Sequence, residues 1–317
     1  MIVGVDFALF RHRLSGTIEY YNKYSVDLLA AINGSPTQGF GYTTLMTNNG
    51  KMVNRGVEIT LSGEIIRQKD FSWNASLLYA FNRNKVKHIS VQPSLWDSRI
   101  SMPTSYPMVG KPLYGIYAYK WAGLNENGDP QVYDAENNVT SGPARDYHAL
   151  VYCGTTVPIH NASLTNVLRY KGFEFSAMLI LDAGHKLRSS NIPSINMSNG
   201  RITSTAKGIV DRWTQPGDVT DVPRLLFSND TENFNTHRTE LYRYSDLFVY
   251  DASNIRLSNI SLAYRVPAHW CKKISLSGAR LQFNVENVAT FAFDSKANYD
   301  LGGKVKPNYV WGLYLNF

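Results

Sequence analysis

The chain has 317 residues, enough for one large domain or two ordinary ones, so length alone excludes neither a barrel nor a two-domain enzyme. Aromatic residues make up 13% of it, with 20 Tyr, and only 18% is charged, a balance that favours strands over helices. The formal charge of +7 and pI near 9.2 do not point to nucleic acid, because Lys and Arg stand singly among acidic residues instead of gathering in one stripe.

In chain order, Val3, Val5, Phe7 and Leu9 alternate with polar or small residues, and after the basic turn Arg11, His12, Arg13 the alternation resumes at Leu14, Gly16, Ile18 and Tyr20. This predicts a hairpin. A polar connection is expected over 25–54. Val57, Ile59, Leu61, Gly63 and Ile65 then interleave with Glu58, Thr60, Ser62 and Glu64, and beyond a turn at 67–70 the set Phe71, Trp73, Ala75, Leu77, Tyr79, Phe81 forms the second arm of another hairpin. Each arm has about ten residues, more than the ~5 to 6 of globular strands and close to the ~9 to 11 that cross a bilayer when tilted. Within the long connection 83–158, LYGIYAYKWAGL, the turn pair Asn127 and Gly128, and DPQVYD read as an extra hairpin. Segments 159–170 and 173–183 make a third long hairpin, turning at Lys171 and Gly172. A fourth joins 254–266 to 274–288, and the slip of its apolar phase between Leu257 and Ile260 predicts a β-bulge. Last, Tyr309, Trp311, Leu313, Leu315 and Phe317 share one face opposite Val310, Gly312, Tyr314 and Asn316.

Nine segments are thus long enough to span, and short turns alternate with the long connections 25–54, 83–158, 184–253 and 289–307. A soluble sandwich has no reason to place every long loop at one end, whereas outer-membrane barrels have short periplasmic turns and long extracellular loops. The expected fold is an all-β, antiparallel transmembrane barrel segment. Bacterial single-chain barrels hold even numbers of strands, and an open sheet leaves two edges unsatisfied in lipid, so upstream strands are expected to be missing. No run approaches the ~18 to 20 apolar residues of a membrane-crossing helix, and the opening MIVGVDFALFRHRL has no signal-peptide pattern. Cys153 and Cys271 match no metal or redox spacing and, being placed at opposite ends of the spanning strands, are expected to stay unpaired. His160 and His185 are isolated, and Ser15, Ser62 and Ser76 lack a nucleophile elbow, so no catalytic residue is assigned and no enzyme is expected.

The segments NNGKMVNRGVEITLSG, GKPLYGIYAYKWAGLNENGDPQVYD, LTNVLRYKGFEFSAMLILDAGHKL, DRWTQPGDVTDVPRL, RYSDLFVYDASNIRLSNISLAYRVP and ARLQFNVENVATF, in that order, resemble successive blocks of the SusC/RagA-type TonB-linked outer-membrane proteins. The resemblance runs from Val3 to Phe317 and covers the C-terminal part of such a protein, so residues 1–317 are expected to be barrel, with plug domain, TonB segment and signal peptide absent. It implies a barrel of about 22 strands with a plugged lumen. It further implies outer-membrane import of an oligosaccharide or peptide in Bacteroides-like bacteria, with a SusD-like surface lipoprotein and the TonB complex as partners. A non-transporting surface-binding barrel and a soluble β-rich carbohydrate-binding module are the alternatives.

The expected ligand contacts are loop aromatics, Trp96, Trp213, Phe40 and Tyr42, whose faces can stack on sugar rings. Tyr309, Trp311, Leu313, Leu315 and Phe317 resemble the C-terminal signal that the barrel-assembly machinery reads. Trp73 and Trp311 are expected to face lipid. Membrane lipid is an expected partner and nucleic acid is not. Where the resembling proteins carry an Asp- and Gly-rich run this chain has AENNVTSGPARD, so no metal or cofactor is assigned.

Overall fold

The computed structural model describes residues 1–33, 39, 44–90, 98–142, 146–197, 205–227, 236–302 and 306–317. Four strands come first, β1 (Ile2–Leu9), β2 (Leu14–Asn33), β3 (Thr44–Arg67) and β4 (Phe71–His88). The connection after them carries helix α1 (Ser98–Ser101) and the short strands β5 (Gly115–Tyr119), β6 (Trp121–Leu124), β7 (Pro130–Tyr133), β8 (Val139–Thr140) and β9 (Leu150–Thr155). β10 (His160–Tyr170) and β11 (Phe173–Ala183) form the next hairpin. A second long connection follows, with β12 (Lys186–Arg188), β13 (Asn196–Met197), β14 (Leu226–Phe227), α2 (Thr236–Arg243) and β15 (Val249–Asp251). Then come β16 (Asn254–Arg265), α3 (Ala268–Lys272), β17 (Gly278–Ala292), α4 (Asn298–Leu301) and β18 (Asn308–Asn316). The nine long strands make one antiparallel sheet in the order β1-β2-β3-β4-β10-β11-β16-β17-β18. These are the nine segments whose alternation predicted spanning strands.

Register decides what the sheet presents, because directly paired residues of an antiparallel sheet point to the same side. One row runs Val5, Ile18, Ile59, Tyr79, Ala162, Leu181, Ile255, Phe291. Nearer the short turns runs Trp73, Leu168, Phe175, Leu262, Phe283, Trp311. On the opposite side, Ser15, Ser62, Ser76 and Thr165 lie in one row. The apolar face is bare: Val5 is 60% exposed, Leu313 62% and Trp311 78%. A soluble monomer leaves uncovered only a few hundred Å², so an apolar face nine strands wide fits hydrocarbon. Ten residue steps separate Phe71 from Phe81, which at about 3.4 Å each and a tilt of roughly 40° give an apolar band of about 26 Å, against the ~25 Å of outer-membrane barrels.

Three details differ from the sequence reading. The expected connection 25–54 is mostly strand, since β2 and β3 run to 20 and 24 residues. Pairing persists there through irregularities at Ser25/Leu28 and Leu28/Leu29, with Asp27 at φ 55°, and these break the period of two that alternation relies on. The second arm of the fourth hairpin starts at Gly278, not 274, because the intervening residues close the turn after α3: Ile274 N–H and Leu276 N–H both donate to the Cys271 carbonyl (3.0 Å each). LYGIYAYKWAGL does not form one arm. It divides at Lys120, β5 pairing with β9 and β6 with β7. The β6–β7 turn is a bulged one, with Gly128 N–H donating to the Asn125 carbonyl (2.9 Å) and only Gly128 at positive φ, 74°. The bulge expected after Leu257 is present, the pairing slipping between Leu257 and Asn259 on both neighbours of β16.

The compact core lies in the long connections. Tyr117, Tyr119, Val132, Leu150 and Leu241 pack in one cluster and Ile195, Tyr242 and Phe248 in another. Tyr119 N–H donates to the Tyr244 carbonyl (3.0 Å) and Arg188 to the Tyr117 carbonyl (2.6 Å), so the two long connections fold against each other.

Candidate functional site

On the polar face of the sheet three acids, Asp182, Glu174 and Asp6, are held by neighbours across the strands. Asp182 accepts from Asn161 (2.6 Å) and Arg256 (3.0 Å). Glu174 accepts from Arg169 (2.7 Å) and Arg280 (3.2 Å), and Asp6 from the Thr17 hydroxyl (2.6 Å). Glu19 and Glu58 sit directly opposite each other on β2 and β3, an arrangement that repels unless water or a partner separates the charges. These groups offer hydrogen bonds and charge to a polar solute but no nucleophile with its base. Among the described residues, no group of His, Cys, Asp and Glu could hold a metal.

Above the sheet the long connections are fixed by an ion cluster that sequence reasoning missed. The Asp129 carboxylate accepts from Arg224 Nε (3.1 Å) and Nη2 (2.8 Å) and from Arg238 Nε (3.0 Å). Arg238, only 2% exposed, also donates to the carbonyls of Ile195 (3.2 Å) and Arg224 (2.7 Å) and to Asn196 Oδ1. One guanidinium thereby ties together the turn before β7, β13, α2 and the segment before β14. Asp246 accepts from Trp121 N–H (2.9 Å), while the Trp121 indole donates to Asp221 (2.9 Å). The signal was hidden because Arg238 lies in the polar stretch THRTELYR and its partners are 14 to 109 residues away.

Of the loop aromatics expected to meet a ligand, Phe40, Tyr42 and Trp96 lie outside the described residues. Trp213 is half-buried, its ring stacked on the bulged turn so closely that a Cβ on Gly128 would lie 2.4 Å from it. One face of the Trp213 ring therefore packs on the turn, and the side chain stays partly exposed. Tyr309, Trp311, Leu313 and Leu315 occupy alternate positions of β18, pairing with Val285, Phe283, Leu281 and Ala279. Phe317 follows the strand, and its carbonyl accepts from the Ser277 hydroxyl (3.3 Å). Trp73 lies on the apolar face and donates to Asn166 Oδ1 (3.1 Å), satisfying the one amide in that stretch of the band. His160, expected to be isolated, bonds the Tyr79 hydroxyl (2.9 Å).

Cys153 lies in β9 and Cys271 in α3, and neither forms a disulfide. Burial, with Asp246 adding to it, pushes the Cys153 thiol up to about 11, so it stays protonated. The buried His185 is held below its ordinary pKa of 6.5 by loss of solvent, against the opposing pull of Asp182 and Asp251.

Comparison with known proteins places this architecture. The family model described as TonB dependent receptor-like, beta-barrel matches residues 3–288. TonB-dependent receptor P3 of Formosa agariphila is 26% identical over 98% of this chain and 32% of its own length. TonB-dependent receptor SusC of Bacteroides thetaiotaomicron is 24% identical over 90% of the chain and 27% of its own length. A structure described as that of the RagAB peptide transporter superposes on the whole chain with a TM-score of 0.75 at 22% identity, covering 35% of that partner, and supports the fold. The chain thus spans about a third of the length of the relatives it matches, which are named as TonB-dependent receptors. A two-faced, nine-stranded antiparallel sheet matched by the family model over most of its length means that this chain belongs to the TonB-dependent receptor β-barrel family and lies in the bacterial outer membrane.

Proposed function

We propose that the protein carrying this chain imports a nutrient, an oligosaccharide or a peptide, across the outer membrane with TonB-supplied energy, and that these residues supply barrel wall and extracellular loops. The observation that carries the reading is the pairing of faces: one register gives an apolar face over nine strands and, behind it, a polar face with Glu19, Glu58, Arg169, Asp182 and Arg256. Such a wall suits a polar solute moving inside a lipid-embedded barrel. The relatives' names, TonB-dependent receptor and SusC, support the energy coupling, and the neighbour's, peptide transporter, supports a peptide as one class of cargo.

Within this reading Trp213, Phe40, Tyr42 and Trp96 contact cargo or a SusD-like lipoprotein seated over the loops, the TonB complex acts through a part of the protein outside this chain, and the last strand with Phe317 is the element taken up by the barrel-assembly machinery. The test is uptake of labelled oligosaccharides and peptides by cells with and without the receptor, each with and without a protonophore. Energy-dependent accumulation that disappears with the receptor is the expected result. Binding that is equal in energised and de-energised cells, without internalisation, identifies a surface-binding barrel instead.

A further inference from the structure

The apolar band ends, toward the long connections, at a row of Tyr20, Val57, Phe81 and His160. Two residues further on, the same side of the sheet carries Asn22, Arg55 and Arg83, and beyond them Val53 opposite Lys85. Arg55 and Arg83 are directly paired across β3 and β4. Like charges in that position repel, and nothing in the sheet requires them. Arg55 Nε donates to Asn22 Oδ1 (3.1 Å), and the Arg83 guanidinium lies 5.7 Å from the centre of the Phe81 ring, which fixes both cations on the apolar side. Arg55, Arg83, Lys85 and Lys87 are all exposed and line a cavity of ≈ 630 Å³ beside the upper part of β4, closed by Gly110, Tyr152 and Val157. Lys111 adds a fifth cation nearby, 4.8 Å over the Tyr152 ring. No Asp or Glu is among the described residues lining the cavity, and none of the four lining cations has a carboxylate within ion-pair distance among the described residues.

An outward-facing, uncompensated cation cluster at this height meets the headgroup layer of the extracellular leaflet. Basic residues there are worth roughly fivefold in affinity each toward an anionic lipid surface, and guanidinium groups match phosphate oxygens in pairs. We propose that Arg55, Arg83, Lys85 and Lys87 form a binding site for the phosphorylated headgroup of an outer-leaflet glycolipid, of the lipid A class, whose acyl chains lie along Val57, Ile59 and Phe81. The lipid is then a fixed part of the receptor's outer wall, holding the tall β2–β3 hairpin upright beside the loops.

The experiment uses the full-length receptor, extracted in mild detergent, stripped of lipid and titrated with bisphosphorylated lipid A, native mass spectrometry reading the bound fraction. The R55A/R83A/K85A variant should bind roughly hundredfold more weakly, from three side chains at roughly fivefold each, while R55K/R83K, which keeps the charges but loses the paired guanidinium bonds, falls between the variant and wild type. Heat-modifiable migration on SDS gels shows that both variants are folded. Fully dephosphorylated lipid A should bind wild type and the triple variant equally weakly. Equal binding of phosphorylated lipid A by wild type and the triple variant overturns the site. Tight binding of the dephosphorylated form, or displacement of lipid A by millimolar sodium phosphate, overturns the assignment to a phosphorylated lipid headgroup.

Discussion

Arg238 shows how much one side chain can decide in a loop assembly. Its guanidinium is buried and meets a carboxylate, a side-chain amide and two carbonyls, so truncation leaves Asp129 with only Arg224 and strands two carbonyls. Breaking a buried charge pair costs about 3–5 kcal/mol. Arg238→Ala should therefore open the long connections to limited trypsin digestion while leaving the sheet protected, and Arg238→Lys should rescue little because a single ammonium cannot serve four acceptors. His185 makes the same region pH-sensitive. Its folded-state pKa is depressed by burial, so the unfolded chain takes up a proton below about pH 6.5 that the folded loop resists, and stability present above 6.5 is lost as pH falls below it. Protease protection of the loops should drop between pH 7.5 and 5.5 in wild type, and His185→Gln should flatten that dependence.

A strand in this sheet is defined by which of its sides meets lipid. Leu164 pairs with Leu77 and Leu179 on the apolar side, and the next residue, Thr165, pairs with Ser76 and Met178 on the other. A Lys at the mid-plane of the lipid side costs about 2–4 kcal/mol. Leu164→Lys should lower the unfolding free energy of the receptor folded in vesicles, read from urea titration, by that amount, and Thr165→Lys, one step along the chain, should lower it far less. Equal effects at the two positions would contradict the facing deduced from register. β18 presents Tyr309, Trp311, Leu313 and Leu315 on one side and carries Phe317 at its end. On the proposed assembly role, deletion of Phe317 should slow the appearance of the heat-modifiable receptor in the outer membrane without changing synthesis.

At the scale of the whole molecule the sheet is open, with β1 and β18 each paired on one side only among the described residues. Unpaired backbone in hydrocarbon costs several kcal/mol per group, so we propose that further strands of the receptor close both edges. The chain produced alone should sediment as a single species only in detergent and as aggregates in plain buffer, because its apolar face has no other cover. A monomer in plain buffer would restore the soluble carbohydrate-binding alternative.

The sequence by itself determined the nine spanning strands, their facing, the bulge after Leu257 and the separation of Cys153 from Cys271, because each depends on a period of two that a strand displays locally. It read less well where periodicity fails although pairing continues, as in the upper parts of β2 and β3, and in LYGIYAYKWAGL, where adjacent strands go to different sheets. Only the tertiary structure decided the loop assembly. The Asp129–Arg224–Arg238 cluster, the stacking of Trp213 on Gly128 and the facing cations Arg55 and Arg83 each depend on which segments meet in space. Contacts between residues tens of positions apart leave no periodic trace, and a charged residue reads the same in sequence whether it is solvated or clasped.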